Sequence, residues 1–231
     1  MDKGIYIALS GAVLKEKQME LISQNLANSS SSAYKRLKIS FKDHLIHPES
    51  QAEGRIMSDV GAVRTDFSEG GTHLTGNPLD IALEGSGFIA LEKNLYTRRG
   101  DLKRNSDGYL TNQSGLKVMG KGGFIRLPEG KVDIGPGGEI MVNQTPVDTI
   151  KLVDFKEKGE LVRIGEDLFR AEGPGTPATT RVKQGYLEGS NVEIVKEMTN
   201  IILTLREFQA FQKLIQGFDE AAAKMNEVAR L

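Results

Sequence analysis

Toward the end of the chain, apolar side chains return every three or four residues: Met198, Ile201, Leu205, Phe208, Phe211, Ile215, Phe218, Ala222, Met225 and Ala229. The mean step is about 3.4 residues, close to the 3.5 of a coiled-coil seam. No proline and a single glycine, Gly217, interrupt the run, so the pattern predicts one long helix. The same rhythm occurs near the start, where Ile5, Leu9, Ala12, Met19, Ile22 and Leu26 predict an amphipathic helix over 3–28. It ends where Asn28 meets a run of serines that cannot continue the seam. A helix of this kind is marginal alone in water and needs a partner. The spacing leaves two partners open: the other terminal helix, as an intrachain hairpin on a globular body, or helices of neighbouring subunits.

Between the two helices the period changes. From 32 to 77 the helical rhythm is lost, and the glycines predict an extended linker with short strands, such as 61–67. From 79 to 186 short apolar runs alternate with turn residues, giving strands at 79–83, 87–91, 95–98, 116–119, 124–127 and 149–155 among about ten. Asp107-Gly108, Gly122-Gly123, Glu129-Gly130 and Gly137-Gly138 mark turns between them. The stretch 173–177, rich in glycine and proline, reads as a loop leading back to the final helix. The expected fold class is α+β: an antiparallel β-rich central domain, sandwich or barrel, flanked by long N- and C-terminal helices forming a coiled coil. Its parts are an N-terminal helix at 1–31, a linker at 32–78, a β-rich domain at 79–185 and a C-terminal coiled-coil helix at 186–231.

Composition adds little chemistry. The 231 residues hold 30 Lys+Arg against 31 Asp+Glu, so nothing points to nucleic acid or an anionic membrane. The 26 glycines suit a turn-rich β region, and the absence of cysteine removes disulfide and thiol chemistry, leaving the redox compartment open. The apolar run at 5–14 resembles the core of a secretory signal. Asp2 cancels Lys3 ahead of it, however, and Lys15-Glu16-Lys17-Gln18-Met19-Glu20 follows, so no cleaved signal is expected. The run is also too short to span a membrane.

No motif supports catalysis. Gly85-Ser86-Gly87-Phe88-Ile89-Ala90 matches a dinucleotide fingerprint, but an apolar run of strand type follows where a helix N-terminus must meet the pyrophosphate. Gly115 to Gly122 approaches a phosphate loop, yet glycine stands at 122 in place of the hydroxyl that would hold magnesium. His44 and His47 are spaced three apart, but Pro48 follows and no further ligand type is near. The basic cluster Lys35, Arg36, Lys38 and Lys42 reads as a solvated face. No serine hydrolase spacing and no distinct carboxylate pair stand out. The expectation is no enzyme, no cofactor and no metal.

The two ends carry more specific marks. Ile22-Ser23-Gln24-Asn25-Leu26-Ala27-Asn28 with Tyr34-Lys35-Arg36, and Gly185-Tyr186-Leu187-Glu188-Gly189-Ser190-Asn191-Val192 continuing through Val195, Glu197-Met198-Thr199, Ile202 and Asp219-Glu220, resemble the paired terminal motifs of the flagellar rod and hook family. Asn77-Pro78-Leu79-Asp80-Ile81-Ala82-Leu83, Gly85-x-Gly87-Phe88, Tyr96-Thr97-Arg98 and Gly100 are similar to its β-domain landmarks, so the likeness runs end to end. Two departures stand out: Ala33-Tyr34 where the family usually has Gly-Phe, and Leu205-Arg206-Glu207-Phe208 where Gln-Arg-x-Tyr is commoner.

The resemblance implies a structural subunit of the basal-body rod. The start Met1-Asp2-x-x-Ile5-Tyr6 and the short linker look most like the F-type proximal branch, with the G-type distal branch as the alternative, or a β-domain adaptor dimerised by its helices. It implies terminal helices that form an inner coiled-coil tube, with other proximal and distal rod subunits and the type III export apparatus as partners. It also implies a periplasmic rod location reached without signal cleavage and no direct membrane insertion. The assembly residues are then Ile5, Leu9, Ala12, Met19, Ile22, Asn25, Leu26 and Asn28 at one end. At the other they are Asn191, Val195, Met198, Ile201, Ile202, Leu205, Phe208, Phe211, Ile215, Phe218 and Met225.

Overall fold

A computed structural model describes residues 2–39, 63–165, 167–171, 173 and 175–228. The histidine pair at 44 and 47 and residues 40–62 of the linker expected at 32–78 lie outside the described residues. The chain is α+β and forms two compact units: one carries both helices, and the other is a β body built from Asn28–Arg36 and Thr65–Val192.

In the helical unit, α1 (Asp2–Ala27) packs against α2 (Ile194–Val228). The two run antiparallel, because Gly4 meets Phe218, Gly11 meets Phe211 and Lys15 pairs with Glu207 at 2.6 Å. The partly or fully buried positions on α2 include Ile201, Thr204, Phe208, Phe211, Ile215, Phe218 and Ala222, in steps of three and four. Those on α1 follow the same steps through Gly4, Ala8, Gly11, Lys15, Gln18, Ile22 and Asn25. Large rings on one helix therefore oppose small residues on the other, and the glycines let the backbones approach. A Cβ on Gly11 would stand 2.5 Å from the Phe211 ring, and one on Gly4 would stand 2.8 Å from the Phe218 ring.

The body is layered around one double-faced sheet. Six strands lie in the spatial order Val162–Arg163, Leu168–Arg170, Leu95–Thr97, Phe88–Leu91, Leu152–Asp154 and Thr176–Pro177, each pair antiparallel. All four residues of Phe88–Leu91 are buried, and the two-residue period of a strand sends them to different cores. Ile89 and Leu91 join an aliphatic cluster with Ile81, Leu110, Val118 and Ile140. Phe88 and Ala90 join an aromatic one, where Phe67, Phe155 and Phe169 contact Phe88 edge-on or tilted and Tyr96 meets Phe155 at 4.9 Å.

A three-stranded sheet (Thr145–Thr149, Glu139–Val142, Val132–Ile134) and several two-stranded pairs complete the body. Among the described residues the sheets are open, so the barrel expected from strand spacing is not formed: strands that pair in small separate groups close no ring. The stretches 116–119 and 124–127, expected as strands, make isolated bridges instead. The final helix does not begin at 186. Arg181–Gln184 pairs with Ile81–Glu84, and Tyr186–Glu188 pairs with Thr72–Leu74, before the chain turns helical at Ile194.

The ring-to-glycine contact yields a paired prediction. Gly11→Leu drives a branched side chain into Phe211 and should cost about 1–3 kcal/mol by overpacking. Gly217→Ala meets nothing within 4 Å and should gain about 0.5–1 kcal/mol of helix propensity. Urea titration of each variant followed by helical circular dichroism measures both; opposite signs are expected.

Candidate functional site

The family-like motifs at the two ends meet in the body around one carboxylate. Glu188 lies in the short strand Tyr186–Glu188, and both of its oxygens are engaged. Lys35 Nζ donates to Oε1 at 2.6 Å, the Gly70 amide donates to the same oxygen at 3.0 Å, and Arg98 Nε donates to Oε2 at 2.9 Å. All three charged side chains are at most 2% exposed. Backbone carbonyls take further donors: Lys35 Nζ reaches the Ser68 carbonyl, and the Arg98 guanidinium reaches the carbonyls of Leu83, Gly85 and Gly87.

Two cations against one anion leave the cluster with an excess positive charge. Burial pulls the Lys35 ammonium below the ordinary lysine value of 10.5, Glu188 pulls it back up and the Arg98 charge adds to the lowering; burial prevails.

Backbone and amide contacts draw three chain segments around this centre. The Ala33 amide donates to the Glu188 carbonyl at 2.8 Å, and the Gly189 amide donates to the Gly71 carbonyl at 2.7 Å. Asn191 accepts the Arg36 amide at 2.7 Å through its side-chain oxygen, while its Nδ2 donates to the carbonyls of Asp66 and Ser68. Arg163 lies 4.5 Å above the Tyr34 ring and donates to the Lys35 carbonyl. Ala33 adopts φ +54°, the left-handed conformation that favours glycine, so the Ala-for-Gly departure sits in a backbone made for glycine.

The anticipated assembly residues fall into distinct settings. Ala12 and Ile22 are buried, and Ile5, Met19, Leu26, Ile201, Phe208, Phe211, Ile215 and Phe218 are half-buried. Leu9, Val195, Met198, Ile202, Leu205 and Met225 are exposed, Val195 at 79%. Three asparagines have local duties. Asn25 is buried and bonds the Leu37 backbone in both directions, at 2.9 and 2.8 Å, a side-chain imitation of strand pairing. The Asn28 side chain and carbonyl accept from Ser31 in the turn that ends α1. Asn191 precedes α2 and serves the node.

Sequence reasoning missed the Lys35–Glu188–Arg98 cluster, although each member lies inside a motif quoted for the family. It also missed Ala8 and Gly11, whose small size at helical spacing was the available signal.

The rejected motifs have structural explanations. Gly85 and Gly87 give their carbonyls to Arg98, and a strand follows them. The Gly122 amide donates to the Asp148 carboxylate, so the protein's own anion occupies the turn that resembles a phosphate loop. Among the described residues no group of three or more His, Asp or Glu stands ready to hold a metal ion, and no helix is long and apolar enough to cross a membrane.

The charge count ranks two substitutions. Lys35→Met leaves a neutral Arg98–Glu188 pair and removes the bonds of the ammonium to Glu188 and Ser68, costing about 1–3 kcal/mol. Glu188→Gln leaves two buried cations without their buried counter-charge, costing about 3–5 kcal/mol. The folded chain holds the Lys35 proton less tightly than the unfolded chain, so this site's contribution to stability rises as pH climbs through the folded value toward 10.5. Urea midpoints across alkaline pH should show that rise in the parent chain and its absence in Lys35→Met.

Residues 82–144 match the family described as the flagellar hook protein FlgE/F/G D1 domain, and residues 183–228 match the flagellar basal body rod FlgEFG protein C-terminal region. The chain is 31% identical to the flagellar basal-body rod protein FlgF of Escherichia coli, over 99% of this chain and 98% of that one. It is 30% identical to FlgG of Agrobacterium fabrum, over 96% and 97%, and 27% identical to FlgG of Bacillus subtilis over the full length of both. With both terminal motifs and the β landmarks between them accounted for, this chain belongs to the flagellar basal-body rod protein family.

Proposed function

We propose that the chain is a structural, non-catalytic subunit of the flagellar rod, of the F-type proximal kind, built into the axial shaft that carries torque. The observation that carries this reading is the apolar surface left open on both helices. On α1, Tyr6, Leu9 and Val13 are exposed at steps of three and four, with Ile7 beside them, and on α2 so are Val195, Met198, Ile202 and Leu205 at the same steps. A helix face of this composition is covered in the working state. The two rows differ in sequence, so contact between one row and the other would be heterologous and would propagate, as an axial assembly requires.

In this reading the helices form the coiled-coil tube together with other proximal and distal rod subunits. The chain reaches the periplasmic rod through the type III export apparatus without signal cleavage, and it binds neither nucleic acid nor membrane. The F-type assignment rests on the Met1-Asp2-x-x-Ile5-Tyr6 start and the short linker, and it agrees with the FlgF relatives. A distal G-type role is the second reading, favoured by FlgG relatives of almost equal identity. Expression in strains lacking one or the other protein separates the two: rods and swimming return in the F-type null and not in the G-type null.

Met198→Lys with Ile202→Lys tests the carrying observation. Both positions are exposed and lysine is a good helix former, so the isolated chain should keep its stability within about 0.5 kcal/mol. Rod assembly and swimming should be lost. Normal motility in the double variant would remove the basis of the proposal.

A further inference from the structure

The node around Glu188 has the form of a socket and a plug. The socket side is held by backbone: Arg98 is fixed by the carbonyl of Leu83, in the buried strand Ile81–Glu84, and by those of Gly85 and Gly87 in the turn to the next strand. Lys35 is anchored by Ser68, and the Gly70 amide points at the same carboxylate oxygen. The plug is a single side chain, arriving from 153 residues away in sequence from Lys35 and 90 from Arg98. The segments it gathers, Asn28–Arg36, the stretch 65–71 and the stretch 185–192, hold to one another through the bonds already described and lie outside the aliphatic cluster; Phe67 of the middle segment packs at the edge of the aromatic one.

We infer that this node is a latch with its own opening equilibrium. Withdrawal of the Glu188 carboxylate releases the three segments together, lets water reach Lys35 and Arg98, and leaves the aliphatic core of the body folded. Both chain connections leading to the helices pass through the latch: Ala33 to Arg36 follow α1 in sequence, and Glu188 to Asn191 precede α2. The closed latch therefore sets the two connections side by side, and the open one frees them. Three preformed donors converge on a carboxylate, so a small free carboxylate should fill the empty socket. This inference stands apart from the rod assignment and survives or fails without it.

Amide hydrogen exchange of the full chain tests it, comparing the parent with Glu188→Ala in sodium formate and in sodium chloride of equal ionic strength. The latch reporters are the amides of Ala33, Gly70, Gly189 and Asn191, and the core reporters are those of Ala90, Leu110 and Ile150. In Glu188→Ala the latch amides should exchange faster by about tenfold or more and approach the unprotected rate, while the core amides, although faster than in the parent, stay well protected. Formate, unlike chloride, should slow the latch amides again. Loss of core protection down to the level of the latch, outright unfolding of the variant, parent-like protection of the latch, or no response to formate beyond that to chloride would each overturn the inference.

Discussion

Everything in the body that leads toward the helices depends on burying one carboxylate between two cations. Such a burial is expensive, because each charge loses its water and the Coulomb attraction repays this only when geometry and extra hydrogen bonds are good. Here the geometry is good: Glu188 is met by three donors, and Arg98 gives three further hydrogen bonds to the backbone carbonyls of Leu83, Gly85 and Gly87. Hydrophobic residues of equal volume could match the stability, but they would accept many arrangements. A carboxylate flanked by a lysine and an arginine accepts one. The cluster is better understood as a device that fixes which segments lie beside which than as a source of stability.

The helical pair follows a different logic. Its internal seam is asymmetric, with glycine and alanine on α1 and phenylalanine on α2, which fixes register and direction at close range. That seam uses only one face of each helix. The residual apolar rows are what a shaft component needs and what an isolated domain would avoid. Belonging to the rod family and exposing these rows are thus two views of one requirement: the single chain is an unfinished surface.

The long elements were legible because helical periodicity accumulates over many turns. The helix expected at 3–28 spans Asp2–Ala27, and one long C-terminal helix is present. Finer placement was less legible. A three-or-four spacing admits adjacent solutions, so Leu9 was read as seam while Ala8 is the buried neighbour and Leu9 is exposed. The strands at Arg181–Gln184 and Tyr186–Glu188 escaped notice because they are short, partly polar, and paired with segments about a hundred residues earlier. The charge cluster was invisible for a related reason. Lys35 sits in a basic run that reads as solvated, and no local pattern announces a partner 153 residues away. Asn25 shows the same limit: its motif marked it as important, but only the backbone of Leu37 explains its work.

Ala33 gives the latch around Glu188 a further property. Its methyl group occupies a backbone conformation that disfavours an L side chain by about 1 kcal/mol, a penalty glycine would escape. An energy of that size biases any two-state balance roughly fivefold. One methyl group therefore works as a spring preloaded against the shut arrangement, and members of this family could tune the looseness of their shoulder by exchanging alanine and glycine there, without touching a single charge.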